Sequence, residues 1–374
     1  MRDVDLVIRN ARIIDGTGGS SSEGDLAIDG GRIVAMGDTG GRGGRQEIDA
    51  KGLAVAPGFI DVHTHDDRAL LATPGMDMKV SQGVTTVVTG NCGISLAPIA
   101  APGYVPPPLD LIADEVGDLY PRMRDYFAAL EASPPAINAV PLVGHSTLRI
   151  AAMDRLDRAA TGREIAAMRD ALDRALEDGA VGLSTGLYYP TASASSTEEV
   201  IAICEPLKRH GGIYTTHLRD ESDGIIEAME EAFEIGRATD VKVLLSHHKV
   251  TNPRNHGRTA ETLALYERRA REQPLALDVY PYAASSTILE AKRASQVDRI
   301  LVTWSKARPD MAGRLLSDIA SEWAVSREEA VARLLPAGAV YFTMDEEDVR
   351  RVLAFSETMV GSDGLPHDQR PCAT

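Results

Sequence analysis

The stretch Gly58-Phe-Ile-Asp-Val-His-Thr-His65 decides how the rest of the chain is read. A short apolar run ends in two histidines one residue apart. Successive side chains of a strand point to opposite faces, so His63 and His65 share a face at the strand's end. Two neutral imidazoles converging on one point suit a divalent metal such as zinc. An H-x-H also fits two polar residues in a loop, because so short a pattern recurs without function. Its surroundings have to decide.

Upstream, residues 1–56 read as short strands and turns. Asp5 to Ile14 is one strand run, and Leu26 to Ala35 is a hairpin turning on Asp29-Gly30-Gly31. The Gly/Ser-rich runs at 18–24 and 38–44 are loops. A small β-sandwich is expected there. From Pro57 onward strands alternate with helices. Strand candidates are Phe59–His63, Val84–Thr89, Ile137–Val143, Val181–Thr185, Ile213–His217, Val243–Ser246, Leu275–Tyr280 and Thr358–Gly361. Helical patterns at Arg163–Asp178, Ser196–Arg209, Asp223–Arg237 and Ala260–Glu272 carry apolar residues at i, i+3, i+4 spacing. Eight β-α repeats imply an α/β fold, a TIM-type (β/α)8 barrel over 57–374 beside the small N-terminal β-sandwich domain. The stretch of about 283–345 is too long for a plain connection and is expected to be an inserted helical lid.

Composition narrows the function. The chain has 374 residues, 44% hydrophobic and 25% charged, as an ordinary globular protein does. A formal net charge of −16 argues against nucleic acid or an anionic membrane as partner, though a local basic pocket can still take a small anion. Three cysteines, Cys92, Cys204 and Cys372, require no disulfide framework, which fits a reducing cytoplasm. The first residues, Met-Arg-Asp-Val-Asp, form no apolar signal region, and no stretch is apolar enough to span a bilayer.

In such a barrel, chemistry gathers where strands meet the loops that follow them. Strand one ends in His63 and His65, strand two in Thr89-Gly-Asn-Cys92-Gly93, strand five in Thr215-Thr-His217, strand six in Ser246-His-His-Lys249, and strand eight in Gly361-Ser-Asp363-Gly364. Of nine histidines, five fall on these ends, where chance would scatter them. A thiolate, three or four imidazoles and a carboxylate at one mouth describe a binuclear zinc site. Each member has a plainer reading. Cys92 alone fits a small buried hydrophobe, His217 a helix cap, and Asp363 a helix N-cap or a base. His247 and His248 cannot both face inward, and spacing does not say which one does. His145, in Val143-Gly-His-Ser, fits a substrate contact or a residue behind the metal. His210 and His256 read as surface residues, and Cys204 as helix packing.

These stretches carry a resemblance. The chain resembles the N-acyl-D-amino-acid deacylases (D-aminoacylases) of the metal-dependent amidohydrolase superfamily. It does so at Pro57-Gly-Phe-Ile-Asp-Val-His-Thr-His-Asp66, Gly83-Val-Thr-Thr-Val-Val-Thr-Gly-Asn-Cys-Gly93, Gly182-Leu-Ser-Thr-Gly-Leu-Tyr-Tyr-Pro190 and Thr216-His-Leu-Arg219. Further matches are Ser246-His-His-Lys249, Asp278-Val-Tyr-Pro-Tyr282 and Gly361-Ser-Asp-Gly-Leu-Pro-His-Asp368. Many relatives bridge two metals with a carboxylated lysine; here Cys92 takes the bridging place. The resemblance implies that Cys92, His217 and His247 hold a tight zinc ion. It implies a weaker second position at His63, His65 and Asp363, shared with Cys92. Lys249, Tyr280 and Ser286 are implied to hold the substrate carboxylate. The implied reaction is hydrolysis of N-acyl-D-amino acids to a carboxylate and a D-amino acid, with Asp363 as general base and then general acid. Other readings are a cyclic amide, an N-acyl-D-glutamate or N-acyl-D-aspartate as substrate, or an inactive relative that binds zinc. After Pro371 only Cys372-Ala-Thr374 follow, so the expectation is a truncated chain without the eighth helix or the returning sandwich strands. The arginine that relatives place shortly after this motif to hold the substrate carboxylate is then absent, Arg370 being a poor substitute, and Cys372 is expected to be an exposed thiol.

Overall fold

The computed structural model describes residues 3–100 and 103–365; the expectations for Arg370 and Cys372 fall outside them. Two compact units emerge, Met1–Phe59 and Ile60–Thr374.

The first unit is a mixed five-stranded sheet of β1 (Val4–Ile13), β2 (Ser22–Asp29), β3 (Arg32–Gly37), β4 (Gly44–Asp49) and β5 (Ala54–Val55), ordered β3-β2-β1-β4 with β5 also on β1. The hairpin turns at Gly30 and Gly31, whose φ of 58° and 73° suit the tight primed turn that the sequence anticipates.

The second unit is the barrel. Its strands in chain order are β6 (Phe59–Asp61), β7 (Val84–Thr89), a third stave split into β8 (Asn138–Pro141) and β9 (Val143–Gly144), then β10 (Gly182–Gly186), β11 (Ile213–His217), β12 (Lys242–Leu245) and β13 (Leu275–Val279). After β13 the chain builds the insertion, containing β14 (Ser285–Ile288), β15 (Ile300–Ser305), β16 (Arg314–Leu315) and β17 (Ala337–Tyr341), and returns as β18 (Thr358–Val360). The barrel staves run parallel. The ring closes between first and last staves through a parallel bridge of Thr64 to Gly364 and a bond from the His65 N–H to the Gly364 carbonyl, 3.0 Å. Helices cover the staves because their caps and stripes suit it. Gly162–Glu177 starts with a reciprocal Thr161/Glu164 capping box and buries Met168, Leu172 and Leu176. Thr197–His210 has Glu198 and Glu199 in its first turn, cations in its last, and stops at Gly211 with φ 64°. No helix among the described residues is long and apolar enough to cross a membrane.

The insertion corrects one expectation. It is not simply helical: β14, β17, β15 and β16 form an antiparallel sheet, on which the helices Leu316–Glu322 and Arg327–Leu334 pack. Ile300–Ser305, Ile-Leu-Val-Thr-Trp-Ser, is rich in β-branched and aromatic residues, the composition of a half-buried strand. Its charged flanks hide that signal.

Candidate metal centre

The loop after β7 is built so that a cysteine can enter the barrel mouth. Gly90 has φ 75°, and a Cβ there would meet the Leu142 carbonyl oxygen at 2.2 Å; at Gly93 (φ 80°) it would meet the Gly186 nitrogen at 2.7 Å. Only glycine fits either place. Between them Asn91 donates to the Thr64 and Val88 carbonyls, at 3.2 and 3.0 Å, tying the loop to the first stave. Cys92 itself has φ 52°, as unusual for a side-chain-bearing residue as the 36° of His247 and the 50° of Asp363. Three of the six candidate donors therefore stand in a left-handed backbone, which costs roughly 1–3 kcal/mol each and persists only where the surroundings impose it.

The distances bring the donors together. Cys92 Sγ lies 3.3 Å from His63 Nε2 and 3.2 Å from His247 Nε2. Asp363 Oδ1 lies 3.5 Å from His63 Nε2 and 3.3 Å from His65 Nε2. Two groups of donor atoms each lie within 4.8 Å of one another: His63, His65, Cys92 and Asp363 on one side, and Cys92, His217 and His247 on the other. Cys92 belongs to both. His248 points elsewhere, its Nε2 2.8 Å from Thr262 Oγ1, and burial lowers its pKa to about 4. The question left open between His247 and His248 is thereby answered by position.

The field in this pocket suits a cation. Burial opposes protonation of His65, yet Asp363 and Cys92 raise its pKa to about 10. His247, opposed by burial and Lys249, is still raised to about 9 by Cys92 and Glu221. The Cys92 thiol, which burial alone would raise, is held well below its ordinary value by His247 and His63. Asp363 is likewise lowered against burial, chiefly by its hydrogen bond with His65. Thiolate, imidazoles and carboxylate thus form a donor set that stabilises positive charge at their centre, as a divalent metal requires.

Two carboxylates behind the donors carry no expectation from sequence. Asp278 accepts the His247 backbone N–H at 2.8 Å and lies 3.3 Å from His63 Nδ1, orienting two donors at once. Glu221 lies 3.1 Å from His247 Nδ1 and 2.7 Å from Lys249 Nζ. Asp278 stands near the end of a barrel strand, a position that could have flagged it. Glu221, in a loop four residues beyond His217, offers no such signal.

A cavity opens on the donors, lined by Lys249, Tyr280, Ser286, Tyr188, Tyr189 and Arg293 among others. The Tyr280 hydroxyl is buried without a hydrogen-bond partner among the described residues, and burial raises its pKa well above the ordinary value, leaving a neutral donor. Arg293, from the insertion, lies over the rings of Tyr188 and Tyr341, 5.1 and 4.7 Å from their centroids. No carboxylate among the described residues pairs with it. His145 does not line this cavity. It opens the helix His145–Ala152, behind the third stave, and is buried 3.5 Å from Glu199, which also pairs with Arg149. His210 and His256 are partly exposed, as anticipated, and Cys204 is buried in the barrel core.

Residues 46–314 match the model of an amidohydrolase family. The chain is 54% identical over 368 residues to the N-acyl-D-aspartate deacylase of Alcaligenes xylosoxydans xylosoxydans, covering 98% of this chain and 74% of that one. It is 52% identical over 367 residues to the D-aminoacylase of the same organism, covering 98% and 76%. Among solved structures, the N-acyl-D-glutamate deacylase of Bordetella bronchiseptica, complexed with zinc and a phosphonate mimic of the tetrahedral intermediate, superposes with a TM-score of 0.95 at 45% identity, over 99% of this chain and 78% of that one. The chain belongs to the amidohydrolase family, within its N-acyl-D-amino-acid deacylases.

Proposed function

We propose that this chain hydrolyses the amide bond of N-acyl-D-amino acids at a zinc centre, releasing a carboxylate and a free D-amino acid. The observation that carries the reading is Cys92 Sγ shared between two groups of donors. Cys92, His217 and His247 would hold the tight metal, and His63, His65, Asp363 and Cys92 a weaker one. Zinc, when bound, supplies a Lewis acid and a water acidic enough to attack at neutral pH. Asp363, held ionised beside His65, takes a proton from the attacking water and returns it to the leaving nitrogen. Asp278 fixes the aim of His63 and His247. Lys249, Tyr280 and Ser286 receive the α-carboxylate, Tyr280 through its free hydroxyl. Lys249 and Tyr280 are buried, which limits the access of bulk water to that end of the substrate.

Arg293 supports an acidic side chain on the substrate: it is a cavity-lining guanidinium with no ion-paired carboxylate among the described residues. The name of the 54% identical relative points the same way. The test is steady-state hydrolysis of N-acetyl-D-aspartate, N-acetyl-D-glutamate, N-acetyl-D-methionine and their L-forms by zinc-loaded protein. D-specific turnover, fastest with the acidic pair, is expected. Absence of turnover with bound zinc would leave a zinc-binding relative instead. Asp363→Asn should lower kcat about 10²–10⁴-fold; retained turnover removes Asp363 from its role.

A further inference from the structure

Lys79 stands outside the cavity yet touches residues that flank three donors on one side of the metal centre. It sits in the single helical turn Asp77–Val80 between the first and second staves and is buried. Its ammonium donates to Asp61 Oδ2 at 2.7 Å and to Ser362 Oγ at 3.0 Å, and pairs with Asp66 Oδ2 at 3.0 Å. Asp61 lies two residues before His63, Asp66 directly follows His65, and Ser362 directly precedes Asp363. The contacts continue around the cluster. Asp61 Oδ1 accepts the Ser362 backbone N–H at 2.8 Å, and Ser362 Oγ accepts the Gly364 N–H at 3.1 Å. Asp363 therefore takes its left-handed turn between two residues held in place, one of them through Lys79 directly.

This spot is also the seam of the barrel. The first and last staves share one bridge, Thr64 to Gly364, and lie 301 positions apart at the Asp61–Ser362 contact. A buried cation facing two carboxylates and a hydroxyl adds a side-chain tie to the backbone bonds that cross the seam, from Val62 to Val360, Asp363 to His63 and His65 to Gly364. An ammonium has three donors, matching the three groups in reach.

We propose that Lys79 is a positioning residue: it holds the Asp363 turn against the His63–His65 strand end, and so sets both proton transfer by Asp363 and the affinity of the weaker metal position. The inference rests on the reading of Asp363 given above. It makes no demand on the tight position, whose donors Cys92, His217 and His247 lie on other staves.

The test compares the parent with Lys79→Met and with Ser362→Ala, which removes the hydroxyl's contacts to Lys79 and to the Gly364 N–H while keeping the ammonium paired with Asp61 and Asp66. Zinc titration of metal-free protein against a chromophoric chelator reads the two metal affinities, and N-acetyl-D-aspartate turnover reads kcat and KM. Lys79→Met should weaken the second metal position and lower kcat, each about 10–100-fold, with little change in KM or in the tight position. Ser362→Ala should move the same two quantities in the same direction by less. Equal weakening of both metal positions, or no change in the weaker position and in kcat, overturns the proposal. Should Lys79→Met fail to fold through its two unpaired carboxylates, Ser362→Ala decides by the same criterion. Should the parent show no turnover, the proposed function fails, and the metal titration still decides for Lys79.

Discussion

At the barrel rim, six candidate donors arrive from five stave ends, with Cys92, His247 and Asp363 held in left-handed backbone. The insertion contributes to the same cavity differently, through Ser286 of β14 and Arg293 of the short helix Ala291–Ala294. The rim has no slack: a donor moved by an ångström no longer reaches the shared point. The insertion has its own hydrophobic core around Ile300, Val302, Val331 and Leu334, and can vary what it presents without disturbing that point. The difference teaches that chemistry is placed on the elements whose geometry is most constrained, and selectivity on an element that folds largely on its own packing.

This contrast can be broken most severely at Cys92. Cys92→Ala removes the donor common to both groups, and loss of tightly bound zinc together with all measurable turnover is expected, by metal analysis and the D-substrate assay. Zinc retained at full stoichiometry in that variant would falsify the bridging role. A smaller effect is expected from the insertion. Arg293→Leu should lower kcat/KM for N-acetyl-D-aspartate by about 10–100-fold, the worth of one hydrogen bond to a charged group, while N-acetyl-D-methionine is unchanged or improved. An equal fall for both substrates would place Arg293 in support of the rim rather than in selectivity. The smallest effect is expected farthest from the chemistry. Ser326 caps the helix Arg327–Leu334 by accepting the Glu329 N–H. Ser326→Ala should cost about 1 kcal/mol of stability in thermal or urea unfolding, with kcat/KM unchanged. A substantial kcat change there would mean that insertion and rim are not separable.

Much of the centre was legible one stave at a time. The period-2 pattern puts His63 and His65 on one face, Gly90 and Gly93 bracket Cys92, and His217 ends its stave at the residue expected. Strand existence was readable because each run is apolar and short, and several are followed by a helix of 3.6-residue period. Harder to read was anything behind the donors. Asp278 supports His63 from 215 positions away, and Lys79 reaches Ser362 across 283; nothing in local patterning links such pairs. His145 looked equally eligible as a cavity residue, but the helix it opens buries it against Glu199. The insertion's sheet stayed hidden because its strands alternate with charged helices.

Residue types and their place at stave ends, then, follow from the chain alone, because side-chain direction in a strand is a local property. Which neighbour of a pair turns inward did not: His247 rather than His248 faces Cys92 because its backbone is held at φ 36° by a bond to Asp278 on the adjacent stave. Closure of the barrel decides such matters, since only there do distant staves press on one another.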